Sequence, residues 1–339
     1  MATKSHFVYL DVLRGISALF IMLYHYTTRY IENPLTTNEY KVDWPITFNW
    51  GCAAVSTFFI LSGFLTSKYL FTKNDSGGVG ARGVWLFLRN RLLRLYPAFI
   101  VSMFTTTIVL ALFFDSVDIS AKQVLLNITM IPTILGQRPI DGVYWTLQIE
   151  IMFYLGVAVL MLCRNVNVVK CLLLLWVMTP ILYWFGNSIL NSIINVVFIS
   201  DYVSTFLAGI ALYLWVYHND KMYSILLLLM CFVSQLLMSD IVHIIFFILT
   251  IIAIFLVVKN DHCAKSLIAR VFKWVGDISY PLYLVHQMIG FTILYNIQCY
   301  YGITSEAIII IPIVVSIMYS HLLHKYIELP FAQLVKRGC

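Results

Sequence analysis

The chain has 339 residues, 61% of them hydrophobic and 11% charged, with a formal net charge of +6, and its mean hydropathy is +0.87. Apolar residues this abundant, gathered in blocks of about 17 to 25, exclude an ordinary water-soluble globule and indicate an all-α integral membrane protein. Seven cysteines without a close Cys-x-x-Cys pair offer neither a disulfide framework nor a zinc site, so no metal is expected.

In chain order the apolar blocks predict about ten transmembrane helices, over 8–30, 50–71, 95–114, 143–162, 168–186, 200–217, 222–238, 241–258, 279–299 and 305–324, with 187–200 the least defined loop. These spans and their connections use residues 1–339 as a single membrane-embedded domain with no appended soluble domain. The first apolar run is too long for a cleavable signal peptide and lacks a small-residue cleavage site. With the N-terminus inside, 17 Lys and Arg fall on inner segments, 4 (Arg29, Lys41, Lys122 and Arg138) on outer ones, and Arg14 in the membrane completes the 22. That asymmetry places both termini in the cytoplasm and makes nucleic-acid binding an unnecessary reading of the positive charge.

The first span carries Arg14 and His25 with ten residues between them. Both are expensive in a bilayer, and a helix separates them by roughly 16 Å along its axis. Asp11, three residues before Arg14, is placed to neutralise it. The second span holds Ser62 and Gly63 in a Leu-Ser-Gly-Phe setting that suits helix packing or a kink better than a nucleophile. Between the second and third spans, Gly77, Gly78 and Gly80 read as a turn leading into a basic helix, 82–94, at the cytoplasmic interface. The fourth span opens with Tyr144 and Trp145 and carries Glu150; the ninth carries Tyr283 and His286.

Counting helix rise from the span ends sorts these groups into two layers: His25 and Glu150 in the outer half, and Asp11, Arg14, Ser62, Tyr283 and His286 in the inner half, above Arg91 and Arg94. Such layering suits two substrates arriving from opposite faces. The paired donors of an arginine match phosphate, so Arg91 and Arg94 can hold a diphosphate at the inner surface. His25 is a natural general base for a hydroxyl, and Glu150 can orient it. In and beside the outer segments 31–49 and 115–142, Tyr40, Trp44, Trp50, Tyr144 and Trp145 offer flat apolar faces, although interfacial belts use the same residues.

Taken together, Leu10 to Leu19 with His25, Phe58 to Leu65 around Ser62-Gly63, Arg91 to Pro97, Tyr144 to Glu150, Ser279 to His286 and Tyr326 to Pro330 resemble the membrane acyltransferase-3 family from end to end. The resemblance implies transfer of an acyl group, usually acetyl, from cytoplasmic acetyl-coenzyme A to a sugar hydroxyl of a cell-surface polysaccharide such as O-antigen or its lipid-linked precursor. It implies His25 as the catalytic residue with Arg14 and Glu150. On the donor side it implies Arg91 and Arg94, beside which Arg14, Ser62, Tyr283 and His286 are candidate donor contacts, with His286 open between coenzyme contact and structural hydrogen bonding. The sugar acceptor should then sit at the outer segments, against Tyr144, Trp145 and the other aromatic faces there. Direct transfer and an acetyl-His25 intermediate both fit. The partners implied are the lipid bilayer, acyl-coenzyme A and a glycan, in a bacterial inner membrane, with a homo-oligomer admissible.

Two other classes stay in view. A transporter or flippase would more often show repeated halves or matched broken helices, and a glycan polymerase a large Arg-rich outer loop. This chain shows neither pattern.

Overall fold

A computed structural model describes residues 8–32, 44, 47–71, 80–114, 118–185, 188–259 and 266–337. Their secondary structure is helical, without strands. Tyr40, Gly77 and Gly78 lie outside the described residues, as do Cys263 and Cys339.

The helices are α1 (Val8–Tyr24), which continues into a π-helical turn at His25–Arg29, then a 3₁₀ turn at Asn49–Ala54 running into α2 (Val55–Phe71), α3 (Gly80–Phe113) and α4 (Ala121–Asn127). A second 3₁₀ turn, Gly142–Tyr144, opens α5 (Trp145–Leu160), which is followed by α6 (Val166–Val177), α7 (Thr179–Phe185), α8 (Ser188–Phe198), α9 (Val203–His218), α10 (Lys221–Met238) and α11 (Ile241–Lys259). The chain ends with α12 (Leu267–Asp277), α13 (Ser279–Tyr301), a 3₁₀ turn at Glu306–Ile309, α14 (Ile310–Leu323), a π-helical turn at His324–Glu328 and α15 (Leu329–Arg337).

Eight helical stretches among the described residues are long and apolar enough to cross a membrane, and each overlaps one of the ten expected spans. The remaining two expected spans differ for separate reasons. The 168–186 block breaks at Met178, because Pro180 lacks the amide that would join α6 to α7. The 279–299 block is one helix of 23 residues, ample in length. Its Tyr280, Tyr283, His286, Gln287, Asn296 and Gln298 make it less apolar than the other spans. The interfacial helix expected at 82–94 is instead the first part of α3, which runs unbroken for 34 residues. That is about 51 Å, well beyond the roughly 30 Å hydrocarbon core. The 187–200 stretch is not a loop but contains α8.

By its contacts the chain divides into two compact units, one of Met1–Leu10, Ala53–Asn90 and Ile149–Lys265, the other of Asp11–Cys52, Arg91–Gln148 and Ser266–Cys339. The first is built on the close approach of α2 and α9. A Cβ on Gly63 would lie 1.9 Å from the Phe206 carbonyl oxygen, and one on Gly209 would lie 2.0 Å from that of Ile60. Only glycine allows backbones so near, the small-residue packing typical of membrane helices. Around this seam Phe206 stacks between Phe59 and Phe153, at ring separations of 4.6 and 4.1 Å. Gln235 donates to Ser204 at 2.6 Å, joining α10 to α9.

The second unit has its own glycine seam. A Cβ on Gly15 of α1 would lie 2.1 Å from the Phe272 carbonyl oxygen and 2.8 Å from the Gly276 nitrogen, and one on Gly276 would lie 1.9 Å from the Asp11 carbonyl oxygen. Beyond that contact α13 runs in the same direction as α1, with His286 beside His25 and Gln298 beside Tyr30. Tyr280 donates to the Leu95 carbonyl at 2.7 Å, in the stretch of α3 that Pro97 weakens.

Candidate active site

His25 is the first residue of the π-helical turn, closed by the Tyr30 amide donating to the His25 carbonyl five residues back. Its Nδ1 is 2.7 Å from Nε2 of His286. The Nδ1 of His286 in turn lies 3.0 Å from the carbonyl oxygens of both Leu282 and Tyr283. Carbonyls only accept, so His286 carries its proton on Nδ1 and offers the lone pair of Nε2. His25 must then donate from Nδ1, which leaves its own Nε2 as a lone pair. His25 is half-buried, and its Nε2 makes no hydrogen bond among the described residues. Two imidazoles in series thus fix one tautomer and present one unprotonated nitrogen.

Register explains the meeting. Gly15 and Gly276 touch, and His25 and His286 each follow ten residues later, His25 about 15 Å along α1 and His286 in the third turn of α13, just past the break at Ile278. The expectation that His286 lies in a different layer from His25 is therefore corrected. It counted depth from Ser279 as though that helix began level with Val8, whereas Gly276 is already level with Gly15.

Tyr26, the next residue of the turn, is fully buried. Its hydroxyl donates to the His286 carbonyl at 2.8 Å and sits 2.8 Å from Ser316 Oγ, which supplies the other proton. Tyr283 accepts a hydrogen bond from Thr146 at 3.0 Å. Asp141, wholly buried just before the 3₁₀ turn, accepts the Val143 amide on Oδ1 and the Met288 amide on Oδ2, both at 3.1 Å. Burial pushes this carboxyl up to about 7, although the two amides pull it back down. Tyr26 and Asp141 are the residues that sequence reasoning missed: a tyrosine in an aromatic-rich span and an aspartate in an outer segment carry no signal until their partners are known.

Arg14 pairs with Asp11 at 3.7 Å, as the three-residue spacing led one to expect. Arg91 is only 8% exposed, and Arg94 is half-buried one turn on along α3. Glu150 belongs to the other compact unit, where Ser62 donates to its Oε1 at 3.2 Å and Tyr154 donates to the same oxygen. The Ser62 and Tyr154 hydroxyls are 3.1 Å apart. Two expectations change as a result. Glu150 and Ser62 do not lie in separate layers, because the helix bearing Glu150 starts from a turn that is itself buried, at Asp141, Val143 and Tyr144. The hydrogen bond that orients the His25 ring, a part also expected of Glu150, is made at Nδ1 by His286.

Tyr144 is 2% exposed and meets Phe99 edge-on, which leaves it no open face for a sugar. Trp44 is similarly enclosed, stacked on Tyr30 and donating to the Thr304 carbonyl. Trp145 is half-buried, and Trp50 is 62% exposed. Cys52 and Cys299 are both free thiols. Among the described residues no group of three or more His, Cys, Asp or Glu is arranged to hold a metal ion.

Residues 7–322 match the model of the acyltransferase-3 family, described as an acyltransferase domain. Curated relatives include proteins of Staphylococcus aureus strains COL, MSSA476 and MRSA252, each named "Putative O-acetyltransferase" and each 26% identical over 367 residues. Each alignment covers 95% of this chain and 56% of the relative, so the chain spans about half the length of these relatives. No solved structure matches the chain.

Proposed function

The chain belongs to the acyltransferase-3 family, and on that premise we propose that it is a membrane O-acyltransferase that moves acetyl from cytoplasmic acetyl-coenzyme A to a sugar hydroxyl. The acceptor in this reading is a cell-surface polysaccharide such as O-antigen, or its lipid-linked precursor, at a bacterial inner membrane. The relatives named as O-acetyltransferases support the choice of acyl group and atom. We place α6–α7 and α13 in the membrane with the other eight helices, which gives ten spans and both termini in the cytoplasm, in keeping with the distribution of Lys and Arg.

The observation that carries the reading is the histidine pair. The lone pair on His25 Nε2 takes the acceptor's hydroxyl proton as that oxygen attacks the thioester carbonyl. The tetrahedral adduct collapses with cleavage of the carbon–sulfur bond, and His25 returns the proton to the departing thiolate. His286 holds the ring and accepts a stronger hydrogen bond when His25 is cationic, the part a carboxylate plays in other base–orienter pairs. A π-helical turn at the base fits the frequent placement of such turns at functional sites. Arg91 and Arg94 bind the donor's diphosphate, and the burial of Arg91 favours this over a simple topology anchor. Arg14 stands about 16 Å of helix from the base, comparable with a pantetheine arm of order 15 to 20 Å, and is a further contact for the donor. Tyr283, in the same compact unit as Arg91, Arg94 and Arg14, is a further contact along the donor path.

Proton NMR of surface polysaccharide before and after mild base, in cells expressing the chain or His25→Ala at matched membrane levels, tests this. A base-labile acetyl signal present with the first and absent with the second is expected. An undiminished signal from the variant removes His25 as the base.

A further inference from the structure

The segment from Asp141 to Thr146 touches α13 on both sides of His286. Before it, Thr146 donates to the Tyr283 hydroxyl at 3.0 Å. After it, a Cβ on Gly142 would lie 2.8 Å from Gln287 Nε2, and Asp141 takes the Met288 amide at 3.1 Å. A mid-helix amide ordinarily serves the carbonyl four residues back, so a side chain that claims it grips the helix itself. Asp141 also caps the 3₁₀ turn through Val143, so one side chain joins turn and helix. Only a carboxylate has the two acceptor oxygens this needs; asparagine would aim an NH₂ group at one of the two amides. Asp141 has no ion pair among the described residues, and a buried carboxyl without a cation is costly to keep.

We infer that Asp141 is a positioning residue for the histidine pair: by clamping α13 at Met288 it sets the rotation that brings His286 Nε2 to His25 Nδ1. The clamp rests on the proposed function only in giving His25 chemical work to do. Its geometric demand is tight. A rotation of α13 by about 20° moves a group roughly 6 Å from the helix axis by about 2 Å, enough to break a hydrogen bond. Asp141 touches neither proposed substrate and acts through His286 alone.

The test uses the full chain labelled with [¹⁵N]histidine in lipid nanodiscs. Its eight histidines are assigned with His25→Ala and His286→Ala. The nitrogen spectrum should show both rings protonated at Nδ1. Asp141→Asn should move His286 to mixed tautomers and weaken the hydrogen-bonded Nδ1–H of His25. Thr146→Val, which removes another leg of the same clamp, should do so to a smaller degree, and Asp240→Asn should leave both rings unchanged. In acetyl transfer, Asp141→Asn should lower kcat by about tenfold or more with KM for the donor held within about twofold, and should move the acidic limb of the pH profile. Histidine signals unchanged in Asp141→Asn overturn the inference even if activity falls. If Asp141→Asn does not fold, unchanged signals in Thr146→Val overturn it instead. Altered signals in a chain that never transfers acetyl leave the clamp standing and remove the function.

Discussion

The two compact units each bury a short polar relay, and the relays end differently. In the unit containing α2 and α9, Ser62 and Tyr154 converge on Glu150, an acceptor that absorbs what its neighbours donate. In the unit containing α1 and α13, the relay starts on two backbone carbonyls and passes through His286 to His25, whose Nε2 is left unused. In the first the donors end on one carboxylate oxygen; the second ends on an unprotonated ring nitrogen, a place for a proton. Buried polarity alone does not mark a reactive centre, since both units have it. The direction in which donors and acceptors are ordered separates a satisfied core network from one that is poised.

The largest effect that would sharpen this contrast is a difference between His25→Ala and Glu150→Gln. The first should lower the initial rate of acetyl transfer by about 10³-fold, within the range for losing a general base, and the second by less than about tenfold. Equal collapse in two folded variants would break the contrast and bring Glu150 into the chemistry. Next come the substitutions of His286. Gln retains an acceptor for His25 Nδ1–H and should lose roughly tenfold, whereas Leu should lose about a hundredfold, both with KM for the donor little changed.

A smaller effect compares the glycine seams. Gly15→Ala and Gly63→Ala each force backbones apart and should destabilise by about 1 to 3 kcal/mol, read as thermal unfolding in detergent. Only Gly15→Ala should also slow transfer, because only that seam sets the histidine register. The smallest effect concerns pH. The Asp141 carboxyl titrates near 7 in the folded chain and near 3.8 in the unfolded one, so between those values the folded chain binds the extra proton. Stability should therefore fall as pH rises from about 4 to about 7 and level off above. Asp141→Asn should flatten that slope, measured as melting temperatures at the two ends of the window.

Much of this was legible from residue order. The expensive Arg14 and His25 stood out against an apolar span, Asp11 was assigned to Arg14 from spacing alone, and eight spans lie where their hydropathy puts them. Vertical position was not legible. Counting rise from the ends of apolar blocks assumes that every helix starts at one plane, and both α13 and α5 start inside the protein. The same assumption hid the pairing of His286 with His25 and that of Ser62 with Glu150. The continuity of α3 was obscured because its basic first half and apolar second half look like two elements, and because the helix runs on through Pro97 at their join.

The π-helical turn at His25–Arg29 also bears on which changes in chain length the protein can absorb. Such a turn holds about one residue more than an ordinary α turn, so the helix beyond it is rotated by roughly 100° from a regular continuation. Tyr30 reaches Gln298 at 2.7 Å from that rotated position. A single-residue deletion within Thr27 to Arg29 would let the helix regularise with the extra residue removed, and would leave both His25 and Tyr30 on the faces they hold now. The wide turn thus works as slack in the chain: losing one residue there spares both the reactive nitrogen and the outer wall, whereas the same loss in the regular part of α1 would turn the wall away from the base.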